Sequence, residues 1–236
     1  MLEYTMDPKI LHEDDSLFVI EKPSGWIVNE AGTTKNQPVL QTWLRKFKYP
    51  LVDDIESRHG IVHRLDKETS GVMLVAKTEE AFEKLQAEFK NREVQKTYIA
   101  LLHAKVEPLE GEIKISIGRL PWRRDRFGVL PGGRESLTLY KVLHFYPGNN
   151  AGHSLVEFHP KTGRTHQIRV SAKSIGHAIV ADEFYAGRKT ARNDRKWCPR
   201  LFLHAASIKF IHPETGKGVE FKSDLPNDLT DVLKNL

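Results

Sequence analysis

The densest concentration of chemically capable side chains lies in residues 60–77, GIVHRLDKETSGVMLVAK, where His63, Arg64, Asp66, Lys67 and Glu68 precede an apolar run. If residues 64–66 are locally extended, side chains two apart fall on the same side, so Arg64 and Asp66 share a face. A carboxylate beside guanidinium charge stays ionised at neutral pH, and an ionised carboxylate can act as a nucleophile or a base. The same spacing also describes a surface turn closed by an Arg–Asp ion pair, and spacing does not choose between them. His59 and His63 lie four apart, but neither a zinc-protease glutamate nor a thiolate set accompanies them, so no metal is expected.

The surrounding pattern indicates what must position these residues. Residues 16–22 (SLFVIEK) read as a strand stopped by Pro23-Ser24-Gly25, and 26–28 as a second short strand. Val39, Leu40, Trp43, Leu44 and Phe47 have helical spacing, which predicts an amphipathic helix over 39–48. Residues 71–77 read as a buried strand, and Thr78 as the cap of a helix running to about Asn91 with Phe82, Leu85 and Phe89 on one face. Strands are expected at 97–103, 112–117, 136–146, 154–159 and 201–211, a helix at 165–174, and a short C-terminal helix after Pro226. Residues 107–111 and 148–152 read as loops. Strands that cluster without regular helix alternation predict an α+β fold, a mostly antiparallel mixed sheet with flanking helices.

At this point the motifs acquire a family. HRLDKETSG followed by an apolar strand resembles the catalytic motif of the RluA-type RNA pseudouridine synthases. Further segments follow in that family's order. VIEKPSGWIV (19–28) is similar to its lysine-proline-glycine strand-turn and QKTYIALLHA (95–104) to its tyrosine motif. GRTHQIRVSAKSIGHAIVADEFYAG (163–187) is similar to its arginine motif and RLFLHAASIKFIHPETGK (200–217) to its late strand. The resemblance implies the pseudouridine synthase catalytic fold and isomerisation of uridine in structured ribosomal or transfer RNA. It makes Asp66 the catalytic aspartate, Arg64 a residue that displaces the target base or fills its place, and Tyr98 the ring stacked on uracil. Arg169 becomes the partner of the aspartate, Arg164 a second candidate for binding substrate, and Leu203 an apolar lining residue. Family mechanisms place the aspartate on the ribose C1′ or on the uracil ring, and both stay open; Tyr98 is a candidate for the base that removes the C5 proton. No redox step occurs, so no cofactor is implied.

Extruding a stacked base costs a few kcal/mol, and an aromatic platform recovers roughly 1–3 kcal/mol of it, a role that Tyr98 suits. Taken singly, Tyr98 reads as a core tyrosine, Arg169 as a surface residue and His166 as a structural hydrogen-bonding group. Departures from the family pattern are Ala104 where glycine is usual, Ser171 where histidine is common, and Ala178 and Ala181 in place of proline and glycine. They bear on loop geometry and substrate contacts rather than on the chemistry. HRLD differs from the kinase HRD loop in the aspartate's position, and no DFG or Gly-rich phosphate loop accompanies it. Gly163-Arg164-Thr165 lacks the P-loop order.

The chain has 236 residues, 39% hydrophobic and 28% charged, which fits one ordered catalytic domain over residues 1–236; relatives' N-terminal S4 RNA-binding domain is not expected. Cys198 is the only cysteine, and no apolar targeting run opens the chain. A monomer in the cytoplasm, without membrane association, is expected. The formal charge of +5 permits a polyanionic partner. Its distribution is more informative: Arg119, Arg123, Arg124, Arg126 and Arg134 interleave with Trp122 and Phe127, and Arg188, Lys189, Arg192, Arg195, Lys196 and Arg200 surround Trp197. Both clusters read as loops and as candidate RNA contacts, since arginine with aromatics suits phosphates and bases. A solvated charged face has the same composition. A catalytically silent RNA-binding protein or RNA-folding chaperone on this scaffold is the alternative.

Overall fold

The structure, a computed structural model, describes residues 6–148 and 151–236. The first five residues, part of the 148–152 loop and the side chain of Arg124 lie outside that description. In chain order the elements are β1 (Lys9–Glu13), β2 (Leu17–Lys22), α1 (Leu40–Leu44), β3 (Ser70–Ala76), α2 (Glu79–Asn91), β4 (Gln95–His103), β5 (Glu110–Leu120) and β6 (Arg123–Val129). There follow β7 (Arg134–Tyr146), β8 (His153–Pro160), α3 (Gln167–Ser174), α4 (Arg188–Asp194), β9 (Leu203–Ile211), β10 (Gly218–Lys222) and α5 (Asn227–Lys234). The chain forms two compact units, Met1–Gln95 with Ala205–Asp224, and Lys96–His204 with Leu225–Leu236.

In the first unit β2 pairs antiparallel with β1 and β3, and β9 pairs antiparallel with β10. Every residue of β3 is buried, as are all of β2 but Glu21, so both read as apolar runs without alternation. α2 packs against β3. Thr78 caps it by accepting from the Ala81 N–H at 3.2 Å, and Glu79 and Glu80 complement the dipole of its first turn. The expected helix over 39–48 is cut to α1. Its N-cap, Val39, offers no side-chain bond, and Lys46 and Phe47 donate to carbonyls three residues back. Such bonds tighten the chain out of α geometry, and Pro50 disfavours helix at Tyr49. The apolar spacing still served packing, since Phe47 lies edge-on to Trp43. Residues 26–28 form only an isolated bridge, Ile27 to Val39.

The second unit carries an antiparallel sheet in the order β4-β8-β7-β5-β6. Its core gathers Leu101, Val156 and Phe158 from the sheet, Ile168 and Ala172 from α3, and Leu229 and Val232 from α5. The α+β, mostly antiparallel expectation therefore holds.

Both basic clusters depart from the loop reading. The first is a hairpin, in which β5 extends to Leu120 and turns at Pro121-Trp122 into β6. The second contains α4, anchored by buried Ala191 and Asp194. Asp194 accepts from His103 Nε2 at 3.0 Å and from the Ala181 N–H at 2.9 Å. A single apolar residue gives no visible period, so this helix is held by tertiary contacts.

Candidate active site

Residues 60–63 lie along β3. Ile61 bridges Val75, the Ala76 N–H donates to the Gly60 carbonyl at 2.8 Å, and His63 Nε2 accepts from the Leu74 N–H at 2.9 Å while its ring stacks on Phe89. Gly60 is required there: its φ is +77°, and a Cβ would lie 1.9 Å from the Ala76 carbonyl oxygen. Residues 62–66 are irregular rather than a strand, yet exposure alternates. Arg64 is exposed, Leu65 is buried and Asp66 is half-buried. Leu65 thus anchors the segment while its two polar neighbours emerge on the accessible side.

The turn that follows is held from below. The Thr69 N–H donates to the Asp66 carbonyl at 3.1 Å, the Gly25 N–H to the Lys67 carbonyl at 2.8 Å, and Ser24 Oγ to the Glu68 carbonyl at 2.8 Å. Lys22, fully buried at the end of β2, donates through Nζ to the carbonyls of Pro23 at 2.8 Å, Trp26 at 2.9 Å and Lys67 at 3.2 Å. The lysine-proline-glycine turn is therefore the cradle of the residues just after Asp66. Lys22 is a residue of the site that sequence reading missed; a lysine closing a mainly apolar strand just before Pro-Ser-Gly is its only signal. Replacing Lys22 with Met leaves buried carbonyls without their charged donor, which costs on the order of 3 kcal/mol in urea unfolding. The same change is expected to lower kcat more than it raises KM, because a displaced turn misplaces Asp66. Equal effects on both constants, with unaltered stability, would remove Lys22 from this role.

In the second unit Tyr98 lies on β4 opposite Phe158, half-buried and packed against the core. Leu203, the first residue of β9, is buried in that core. Arg169 on α3 is buried, contrary to its reading as a surface residue. Its Nε and Nη2 each donate at 2.8 Å to one oxygen of Asp182, itself fully buried. Asp182 Oδ1 also accepts from the N–H groups of Phe184 and Tyr185, whose rings lie 5.2 Å from the guanidinium. Sequence reading missed Asp182, an acid inside a largely apolar run. Arg164 precedes α3 and is set apart from this pair; its Nε donates to the Glu135 carbonyl at 3.0 Å.

His166 takes the structural role. It sits at φ +56° as the N-cap of α3, 2.9 Å from the Tyr185 hydroxyl and edge-on to three aromatic rings. Ser171 is buried beside Thr138, a position of close packing. Ala104 and Ala181 stand at φ +67° and +61°, the left-handed region in which glycine alone escapes steric cost. Ala104→Gly is therefore expected to raise stability by about 0.5–1 kcal/mol in urea unfolding; a loss would show that the Ala104 methyl matters more than its backbone.

Among the described residues one group could hold a metal ion by distance, His12, Asp14 and His212. Its hydrogen bonds oppose that use. His212 Nδ1 accepts from the N–H groups of Glu214 and Thr215, so Nε2 carries the proton and donates to Asp14 at 2.9 Å. Burial favours the neutral form of Asp14, but donation from His212, His12 and Ser16 outweighs it and holds the carboxyl well below the usual range. His59, the other sequence candidate, is buried with Nδ1 2.5 Å from the Val52 carbonyl.

Asp66 thus stands accessible on a clamped turn, Tyr98 half-buried on a strand, and Arg169 buried on a helix with its guanidinium forked to Asp182. The family described as RNA pseudouridylate synthase matches residues 16–174, and the chain belongs to it. Its enzymes isomerise uridine to pseudouridine in RNA. The chain is 35% identical over 227 residues to an RNA pseudouridine synthase of Synechocystis sp., covering 95% of this chain and 67% of that protein. It is 37% identical over 234 residues to ribosomal large subunit pseudouridine synthase D of Neisseria meningitidis serogroup B, covering 96% of this chain and 60% of that one. Its fold is similar to that of human RNA pseudouridylate synthase domain containing 1, with a TM-score of 0.73 and 27% identity over 93% of this chain and 84% of the other. No described helix is long and apolar enough to cross a membrane.

Proposed function

We propose that this chain converts uridine to pseudouridine in structured RNA, with Asp66 as the nucleophile. In that reaction the N1–C1′ glycosidic bond breaks, uracil rotates, a C5–C1′ bond forms, C5 loses its proton and N1 gains one. Asp66 supplies the negative oxygen, Arg169 is the basic residue that the family resemblance assigns to it, and Tyr98 offers its ring face to the extruded uracil. Arg64 takes the space that the base leaves, Arg164 binds the RNA, and Leu203 contributes apolar lining. The observation that carries this reading is the family's aspartate motif on the accessible side of a turn clamped by Lys22. The two units work as one catalytic domain, as a monomer in the cytoplasm. A reducing compartment suits the lone thiol of Cys198, whose pKa burial pushes up to about 11.

The test is tritium release to water from RNA labelled at uracil C5. Ribosomal RNA is the first substrate to try, because one relative is named for the large ribosomal subunit. Release by the wild-type protein supports the reading, whereas binding without release on ribosomal and transfer RNA would favour the RNA-chaperone alternative. Comparing pseudouridine maps of RNA from cells with and without the protein identifies the position.

A further inference from the structure

The β5–β6 hairpin, β7 and the loop before α3 build a second feature, lying wholly within the second unit. Arg119 faces Phe127 across β5 and β6, and Ile117 faces Val129 on one side and Arg134 on the other. Directly paired residues share a sheet face, as do residues two apart along a strand. Arg119, Phe127 and Arg134 therefore project on one face. Arg119 lies over the Phe127 ring at 4.8 Å, a cation–π contact. The Phe127 carbonyl accepts from the Tyr185 hydroxyl at 3.0 Å, and Arg126 donates to the Phe184 carbonyl at 2.7 Å, so the hairpin is tied to the body of the unit. From the opposite side comes Arg164, oriented by the Glu135 carbonyl.

These residues line a groove of about 420 Å³, and none of its described lining residues is acidic. Its volume is that of a small-ligand cleft, ~300–1,000 Å³, rather than that of a single-ion site. Two glycines in it differ instructively. Gly133 is required by packing, since a Cβ would lie 2.7 Å from the Ile117 carbonyl carbon. Gly163 is not: a Cβ there meets nothing within 4 Å, and its φ lies outside the left-handed region. A glycine that the fold does not need leaves room for close approach of a ligand.

Four other arginines of the two basic clusters are used differently. Arg126 and Arg123 lie near Asp125, Arg195 near Glu183, and buried Arg200 forms a two-point pair with Asp228 at 2.5 and 3.1 Å. The expectation that both clusters act whole as RNA contacts is thereby narrowed.

We infer that the groove of Arg119, Arg134 and Arg164 seats the phosphodiester backbone of the substrate RNA, resting on the proposed action on RNA. Guanidinium groups suit forked hydrogen bonding to phosphate. Phosphate contacts set the register of an RNA strand without reading its sequence. The groove therefore positions the strand, and base recognition belongs elsewhere.

The test uses the full chain carrying Asp66→Asn, to prevent turnover, and a fluorescent uridine-containing RNA stem-loop titrated at several KCl concentrations. Arg119→Gln/Arg134→Gln is expected to weaken binding at least ~10-fold and to reduce the slope of log affinity against log salt by roughly 1.5. Lys114→Gln/Lys141→Gln, exposed on the same sheet outside the groove, is the control and should change affinity less than twofold. Gly163→Val should weaken binding with an unchanged Tm, which covers the case in which the arginine variant folds poorly. Equal losses in groove and control variants, or unchanged binding in both groove variants, would overturn the proposal. Inorganic phosphate or a mononucleotide competing as tightly as the stem-loop would make it a small-anion site and overturn it as well. If the groove variants lose affinity while wild-type protein releases no tritium from any RNA, the groove stands and the isomerase reading falls.

Discussion

Asp66→Asn is expected to lower tritium release from 5-tritiated uridine RNA by on the order of 10⁴-fold or more, the scale on which loss of a nucleophile acts. The amide has nearly the carboxylate's shape, so the change tests charge and nucleophilicity rather than packing. Stability should move little, because the turn is held by main-chain groups: the Asp66 carbonyl bonded to Thr69, and the Lys67 carbonyl bonded to Gly25 and Lys22. A folded Asp66→Asn protein that still releases tritium at the wild-type rate would remove Asp66 from the mechanism. Asp66→Glu separates position from charge. It keeps the carboxylate and moves it by one methylene, and a loss of roughly 10²-fold is expected if alignment with the substrate matters. Lys22→Met should resemble Asp66→Glu in kinetics but not in stability, since it perturbs the turn rather than the carboxylate.

The largest effect on stability is expected at Asp182. Asp182→Ala leaves the buried Arg169 guanidinium without its forked anion and the N–H groups of Phe184 and Tyr185 without their acceptor. Breaking one side of a buried pair costs about 3–5 kcal/mol, measured as a fall in the urea midpoint at constant m-value. Asp182→Asn should fall between, because its carbonyl still accepts from the backbone. Arg169→Met/Asp182→Leu, which removes both charges, should recover most of the loss, since an apolar pair of similar volume is often as stable as the ion pair. It should not recover tritium release if Arg169 serves Asp66. A double variant as unstable as Asp182→Ala alone would show that the lost backbone acceptor, rather than the stranded charge, dominates.

Much of this was legible in the chain. Strands β2 and β3 announced themselves because both are short, mainly apolar runs buried on both faces, and α2 because Thr78, two glutamates and an apolar face agree on one helix. Gly60 and Gly71, which bracket the aspartate motif, were visible as glycines, but the reason for them is tertiary: both stand at positive φ with the backbone of Ala76 and Ala205, respectively, packed against them. The order of motifs around Asp66, Tyr98 and Arg169 was equally readable, because chemistry constrains residue type more tightly than packing does.

What local order could not supply were contacts between residues distant in the chain. The clamp of Lys22 on the Lys67 carbonyl spans 45 positions, and the cradle it makes leaves no periodic trace. Asp182 sits in a largely apolar run that gives no sign of a partner, and only the fold brings Arg169 to it and makes the two a buried ionic contact. α4 and the arginine hairpin were hidden because charge dominates both segments and the residues that order them, Asp194, Phe184 and Tyr185, act across the fold. The resemblance of the ordered motifs to a known family thus pointed to the reaction class and to the nucleophile proposed for it, which residue type and spacing alone left open. Tertiary structure alone decided which arginines are consumed in the fold and which line a groove, because a guanidinium's role depends on the partners and solvent around it, not on its neighbours in sequence.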